Sequence, residues 1–384
     1  MIKQEKISKK IANSLKHGNE GQLGTKKNDE CYTDRDDIQH ELSQWAALDK
    51  FRGKKIICPC DWDIIKDGHE YCTLGGEIIK SDDIYSLTIT YLPEDIDVTG
   101  NTVVKKDVYV TLFDDVLPFR KLHLREEELE NFFSTKLTCN FVRTLNARAR
   151  EWGIKSITAS GYNPATGKGI PFQKVNYTDY DICITNPPFS LYSEFMKAIV
   201  GNIDFIVLAP LMNRANPCIG GYLMLKQAYL GFGIELHMTF DNPTRENNYS
   251  GTKVVNCDWI TSFHEAQEAR NAKHYKSGVK YDLYRDEFVE MPNMTMKDGT
   301  HPIRVSMSTY PDDFDGWMFT TVGVLDNLDM ETYEWYITEC KGYLNQHPEY
   351  SPFTHKIEAK TYIGIDGKKA FGGVVFRKKS TEVD

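Results

Sequence analysis

Apolar and polar positions along this chain fall into two rhythms. Short strand-like stretches centred on apolar residues occur at 54–58, 156–160, 181–185, 205–209, 234–240 and 254–263. Runs of that length, bounded by polar or turn residues, predict strands buried on both faces. Between them lie helical spacings at 38–48, 126–152, 190–200 and 221–230. In the third of these, Leu191, Phe195, Met196 and Ile199 share one face, and Ser190 stands where a cap is needed. The helix over 126–152 begins with Glu126, Glu127, Glu128 and Glu130 and ends with Arg143, Arg148 and Arg150, a polarity that suits the helix dipole. Strands alternating with helices predict an α/β fold, a parallel-dominated sheet with helices on both faces.

A second rhythm, alternation of period two, runs through residues 85–91 and 108–112, with a turn at Gly100-Asn101. It marks about 64–125 as a mostly β insertion. The organisation expected is a basic arm at 1–28, a core at 29–265 holding that insertion, and a C-terminal α+β region at 266–384. That last region is irregular and aromatic, and closes on a hairpin of 361–365 with 370–376 around Asp366-Gly367.

Composition narrows the class. The chain has 384 residues, of which 41% are hydrophobic, enough for a large core. No apolar stretch approaches the roughly 20 residues of a membrane span, and the polar, Lys-rich start has no apolar signal region, so no membrane partner is expected. Nine cysteines at irregular spacing fit reduced thiols in a cytoplasm. The net charge of -9 speaks against a generic nucleic-acid coat but leaves room for a basic cleft. Basic residues do cluster at Lys3, Lys6, Lys9, Lys10, Lys16, Lys26 and Lys27, and again at Arg377, Lys378 and Lys379. They read either as solvated tails or as arms that touch phosphates.

The most specific chemistry is Asn186-Pro187-Pro188-Phe189, entered from the apolar run that ends at Thr185. An Asn side chain offers a hydrogen-bond acceptor, and the carbonyl of Pro187 offers a second. Pro187 and Pro188 restrict the backbone that presents them. Phe189 offers a face for a flat ring. Such a set holds an exocyclic amine and aims its lone pair at an electrophile. The plain alternative is an ordinary turn. A strand before it and a helix after it place Asn186 at the carboxyl edge of a sheet, where open α/β folds bind ligands.

A cofactor site must adjoin that pocket. Cys58-Pro59-Cys60-Asp61 follows the first core strand, and Asp61 and Asp63 could accept hydrogen bonds from an amino group or ribose hydroxyls. Cys-x-Cys with one Asp lacks a second ligand pair, so no metal is expected.

These pieces together resemble the EcoRI-type adenine-specific DNA methyltransferases. The matching segments are Lys27-Asn28-Asp29-Glu30-Cys31-Tyr32-Thr33, Lys55-Ile56-Ile57-Cys58-Pro59-Cys60-Asp61, Asn131-Phe132-Phe133, Thr185-Asn186-Pro187-Pro188-Phe189-Ser190 and Asn256-Cys257-Asp258-Trp259-Ile260-Thr261. Gly364-Ile365-Asp366-Gly367-Lys368 and Phe376-Arg377-Lys378-Lys379 extend the likeness to the end. The resemblance implies a Rossmann-like sheet, S-adenosyl-L-methionine as methyl donor, and a flipped-out adenine of double-stranded DNA as acceptor. It implies that Asn186, Pro187, Pro188 and Phe189 are catalytic, and that Asp29, Tyr32, Thr33, Cys58, Pro59, Cys60, Asp61 and Asn186 meet the cofactor. Asp179 is the one acidic residue in 170–179 available to the cofactor's adenine. A cognate restriction endonuclease would be a functional partner. Because loops on a rigid scaffold carry specificity, residues 210–250 and those beyond 266 are the expected target-reading surface, with Arg214, Arg245 and Asn247 either base or phosphate contacts or solvated loop residues. The alternatives are methylation of an RNA adenine or a protein amide nitrogen, and a DNA-binding module without activity.

Overall fold

In a computed structural model, the protein is described at residues 32–60, 70–72, 78–80, 86–91, 95–96, 102–103, 108–113, 120–124, 139–163, 168–233, 237–241, 252–273, 276–307, 309–354 and 373–379. The arm at 1–28, the first half of the helix expected over 126–152 and the expected strand 361–365 lie outside these residues.

Eleven described strands make one mixed sheet. In chain order its members are β1 (Tyr32–Thr33), β2 (Lys55–Cys58), β3 (Ser86–Tyr91), β4 (Val108–Phe113), β5 (Arg120–Leu124), β6 (Ser156–Ser160), β7 (Ile182–Thr185), β8 (Asp204–Pro210), β9 (Tyr229–Leu230), β10 (His237–Asp241) and β11 (Thr252–Thr261). Their spatial order is β1-β10-β11-β8-β7-β2-β6-β3-β4-β5, with β9 also on β11. Only β6, β2, β7 and β8 run parallel, in the registers Ile157 with Ile56, Ile56 with Ile182, and Cys183 with Phe205. All other pairings in this sheet are antiparallel. The parallel-dominated sheet expected from sequence is therefore a mixed one. Its antiparallel half is built partly by the β insertion, whose strands β3 and β4 extend the sheet beyond β6.

Period-two alternation divides the parallel strands between two apolar cores. Ile56, Cys58, Ile182, Ile184, Ile206 and Leu208 face one. Ile57, Cys183, Phe205, Val207 and Ala209 face the other. On the first face lie α1 (Arg35–Ala47), which buries Ile38, Leu42 and Trp45, and α2 (Asn140–Arg148), which buries Phe141, Val142 and Leu145. Asp34 starts α1 by accepting the amide of Asp36 at 2.8 Å. On the second face lie α3 (Tyr192–Ile199) and α4 (Pro217–Met224).

Two helices depart from expectation. Ser190 does not cap α3: residues Phe189–Leu191 form a 3-10 turn, and α3 begins after Leu191 without a side-chain cap. The helix expected over 221–230 starts earlier, where the Asn216 side chain accepts the amide of Cys218 at 2.9 Å and Pro217 supplies a pre-set φ. It stops at Met224, and Tyr229–Leu230 becomes β9 on the edge of β11. A Cβ on Gly220 of α4 would lie 2.5 Å from Cys340 Sγ, so this helix packs directly on the C-terminal region.

That region is more ordered than its sequence reads. After α5 (Glu265–Asn271) come β12 (Val289–Glu290), β13 (Ile303–Arg304), β14 (Met318–Thr321), β15 (Tyr333–Ile337), α6 (Lys341–Gln346) and β16 (Gly373–Lys378). The five strands form a second sheet in the order β12-β13-β14-β16-β15. Ile303, Met318, Val374 and Phe376 join the apolar core that holds α3 and α4. Among the described residues, no helix is long and apolar enough to cross a membrane.

Candidate active site

The chain passes from β2 to β6 on one side, then returns to place β7 on the other side of β2. The crevice outside the carboxyl ends of β2 and β7 is therefore the topological switch point, the usual ligand position in an open α/β sheet. Cys58-Pro59-Cys60 leaves β2 there, and Asn186-Pro187-Pro188 leaves β7. The two turns named from sequence are thus neighbours, with strands about 4.8 Å apart.

Every residue of β7 is buried, and the chain must surface at Asn186. Asn186 Oδ1 is buried and has no hydrogen-bond partner. Leaving such an acceptor unmet costs about 1–3 kcal/mol, which a donor-bearing ligand would recover. The Pro188 carbonyl accepts the amide of Leu191 at 3.0 Å, which closes the 3-10 turn. Among the described residues, the carbonyl of Pro187 accepts no hydrogen bond. Phe189 is half-buried and touches both apolar cores, so its ring straddles the end of the sheet.

Cys58 and Pro59 are buried, and half-buried Cys60 packs on the second core. Beside β2, the Ser160 hydroxyl at the end of β6 is buried without a partner. Beyond β8, whose last residue is Pro210, the 3-10 turn Leu211–Ala215 holds Asn213, whose Nδ2 is likewise buried and unmet. Sequence reasoning passed over Ser160 and Asn213. The available signal was a polar residue at or just past the end of each apolar run.

Arg214, expected on the target-reading surface, is instead buried. Its Nη2 meets Asp258 Oδ2 and lies 2.6 Å from Asp326 Oδ1. Arg270 bridges the same two carboxylates at 2.7 and 3.2 Å. A loop arginine becomes a core group here because β11 and the C-terminal region each supply a carboxylate to it. Arg245 and Asn247 lie outside the described residues, as do Asp29, Asp61 and Asp63.

Tyr32 and Thr33 form β1 at the far end of the sheet, not a loop beside β2. They still belong to the carboxyl side. Pro210 pairs with Cys257, so Thr252 to Asn256 of β11 run past the end of β8 and carry β10 and β1 with them. Thr33 is buried; its carbonyl accepts Asn140 Nδ2 at 2.8 Å, and its hydroxyl has no partner. Asp179 is misplaced for a cofactor at this edge. It precedes β7 at the amino end, exposed, and accepts Asn176 Nδ2 at 3.0 Å.

Burial and the neighbouring Asp258 push the Cys257 thiol up to about 12, which makes it a poor nucleophile. Burial also raises the phenols of Tyr177 and Tyr192. Among the described residues, no group of three or more His, Cys, Asp or Glu side chains is placed to hold a metal ion.

The C-terminal basic cluster is neither a solvated tail nor an arm. Arg377 lies 4.3 Å over the Trp317 ring, 3.0 Å from Asp298 and against Glu334. Lys378 and Lys379 donate to the carbonyls of Asp312 and Glu331. Comparison of the chain with protein-family models, curated proteins and solved structures finds no match.

Proposed function

We propose that this protein is a methyltransferase of Rossmann-like build that moves a methyl group from S-adenosyl-L-methionine to the N6 amine of an adenine in double-stranded DNA. The observation that carries the reading is the buried, unmet Oδ1 of Asn186 beside the Pro187 carbonyl, at the switch point of the sheet. Two acceptors fixed on a Pro-Pro turn suit the two N–H bonds of an exocyclic amine. The family resemblance of the sequence supports the same reading, and the unmet hydroxyl of Ser160 is in keeping with a polar cofactor along this edge.

In this mechanism Asn186 and Pro187 bind the amine protons and localise the nitrogen lone pair. Phe189 stacks on the flipped ring, contributing about 1–3 kcal/mol against an unstacking cost of a few kcal/mol. The cofactor, when bound, supplies a sulfonium methyl, already a good electrophile. Asn186 and the Pro187 carbonyl would hold the amine nitrogen in line with that methyl group, and the surplus amine proton would leave to water. Positioning does most of the work, and no cysteine adduct is needed. Residues Cys58, Pro59, Cys60 and Ser160 would hold the cofactor.

The test is transfer of labelled methyl to unmethylated duplex DNA, RNA and protein in parallel. Label at N6 of adenine in DNA supports the reading. Label in RNA or protein alone moves the acceptor, and no transfer despite cofactor binding favours a module without activity.

A further inference from the structure

We propose, on the basis of the reading above, that Asn213 is a specificity-determining residue. Its amide NH2 donates to the ring nitrogen that lies beside the target amine, so the site reads an N–C–NH2 edge with one acceptor and one donor.

Three observations carry this. First, β8 is the parallel neighbour of β7, with Thr185 in register with Val207. Asn213 stands three residues past Pro210, on the same edge as Asn186. Second, the two amides leave complementary atoms unmet: an acceptor on Asn186 and a donor on Asn213. They do not satisfy each other. Third, the turn is held in place. The Asn213 carbonyl accepts the amide of Asn216 at 2.9 Å. Asn216 accepts the Ser193 hydroxyl at 3.4 Å, which ties the turn to the helix that follows Phe189. Next to Asn213, Arg214 is locked between Asp258 and Asp326.

An amine alone needs only the acceptors of Asn186 and Pro187. A rigid donor at a neighbouring strand end adds recognition of what stands next to the amine. In adenine that ring nitrogen is N1, an acceptor bonded to the same carbon as the amine; N7 sits on the next carbon and serves as the control. A site that leaves its donor unpaired discriminates strongly against an analogue lacking the acceptor.

The experiment compares duplexes carrying adenine, 1-deazaadenine or 7-deazaadenine as methyl acceptor, with wild type, Asn213→Ala and Asn213→Ser. Thermal unfolding and S-adenosyl-L-methionine binding confirm that each variant is folded and loaded. The expected result is that wild type loses about 10-fold or more in kcat/KM on 1-deazaadenine and little on 7-deazaadenine; the reverse pattern overturns the inference. Both variants should be slower on adenine and nearly indifferent to the change to 1-deazaadenine. Variants that keep the wild-type discrimination overturn the inference alone. A wild type that methylates no adenine overturns the functional reading and this inference with it.

Discussion

Asp258 Oδ1 lies 2.7 Å from Arg270 Nη2, and both side chains are almost wholly removed from solvent. Asp258 also pairs with Arg214, and Asp326 faces both arginines, which joins β11, the turn after β8, α5 and the C-terminal region. Two positive and two negative charges balance, so removing one member leaves an uncompensated buried charge. Asp258→Asn or Arg270→Ala should cost about 3–5 kcal/mol in denaturant unfolding. A loss well under 1 kcal/mol would mean that the quartet does not hold these elements together.

Glu41 sits beside this quartet. Its Oε1 accepts the Phe232 amide at 2.7 Å and Trp45 Nε1 at 3.2 Å. Burial raises its pKa from 4.5 to about 7, with Asp258 adding to the rise while Phe232, Arg270 and Trp45 oppose it. The folded state therefore holds this proton more tightly than the unfolded chain. The stability it contributes is complete below pH 4.5 and is lost as pH rises through about 7. Glu41→Gln keeps an acceptor but has no proton to lose. Between pH 4.5 and 8, wild type should lose on the order of 3 kcal/mol relative to the variant. Parallel stability curves would rule this out.

Phe189 bridges the two cores at the mouth of the proposed pocket. Phe189→Ala should lower kcat/KM on DNA by an amount equivalent to about 1–3 kcal/mol of base stacking. Phe189→Trp, which keeps an aromatic face, should retain most of it. Equal activity of all three proteins would remove the stacking role.

Arg377 is occupied by Trp317, Asp298 and Glu334. A phosphate contact would lower the salt slope of DNA binding by about one unit on mutation. Arg377→Ala should leave that slope unchanged and cost no more than about 1 kcal/mol of stability, because the group is a third exposed. A reduced slope would restore it as a DNA contact.

The strands that build the switch point were legible in sequence because parallel strands buried on both faces are largely apolar, as the segments holding Ile56, Ile184 and Val207 are. Asn186-Pro187-Pro188 was legible for a different reason: few residue types can terminate such a strand in a rigid turn. Arg214 was not legible. Its partner Asp258 is 44 residues away, and a loop arginine reads as solvated until the fold brings carboxylates to it. Tyr229–Leu230 misled because local spacing continued a helix, while the open edge of β11 offered backbone partners. Ser160 and Asn213 carried only a weak signal, a polar residue at or past the end of an apolar run, because an unmet polar atom is a property of packing, not of residue type.

The central claim is that Asn186 holds the amine in the transition state, while its contact with the cofactor adds little to cofactor affinity. Its most direct test measures methyl transfer to DNA and S-adenosyl-L-methionine affinity together, for wild type and Asn186→Ala. The account predicts a fall in kcat of about 100-fold or more, the scale seen when one preorganised polar partner is removed, with cofactor affinity nearly unchanged. Turnover close to wild type in Asn186→Ala would contradict it.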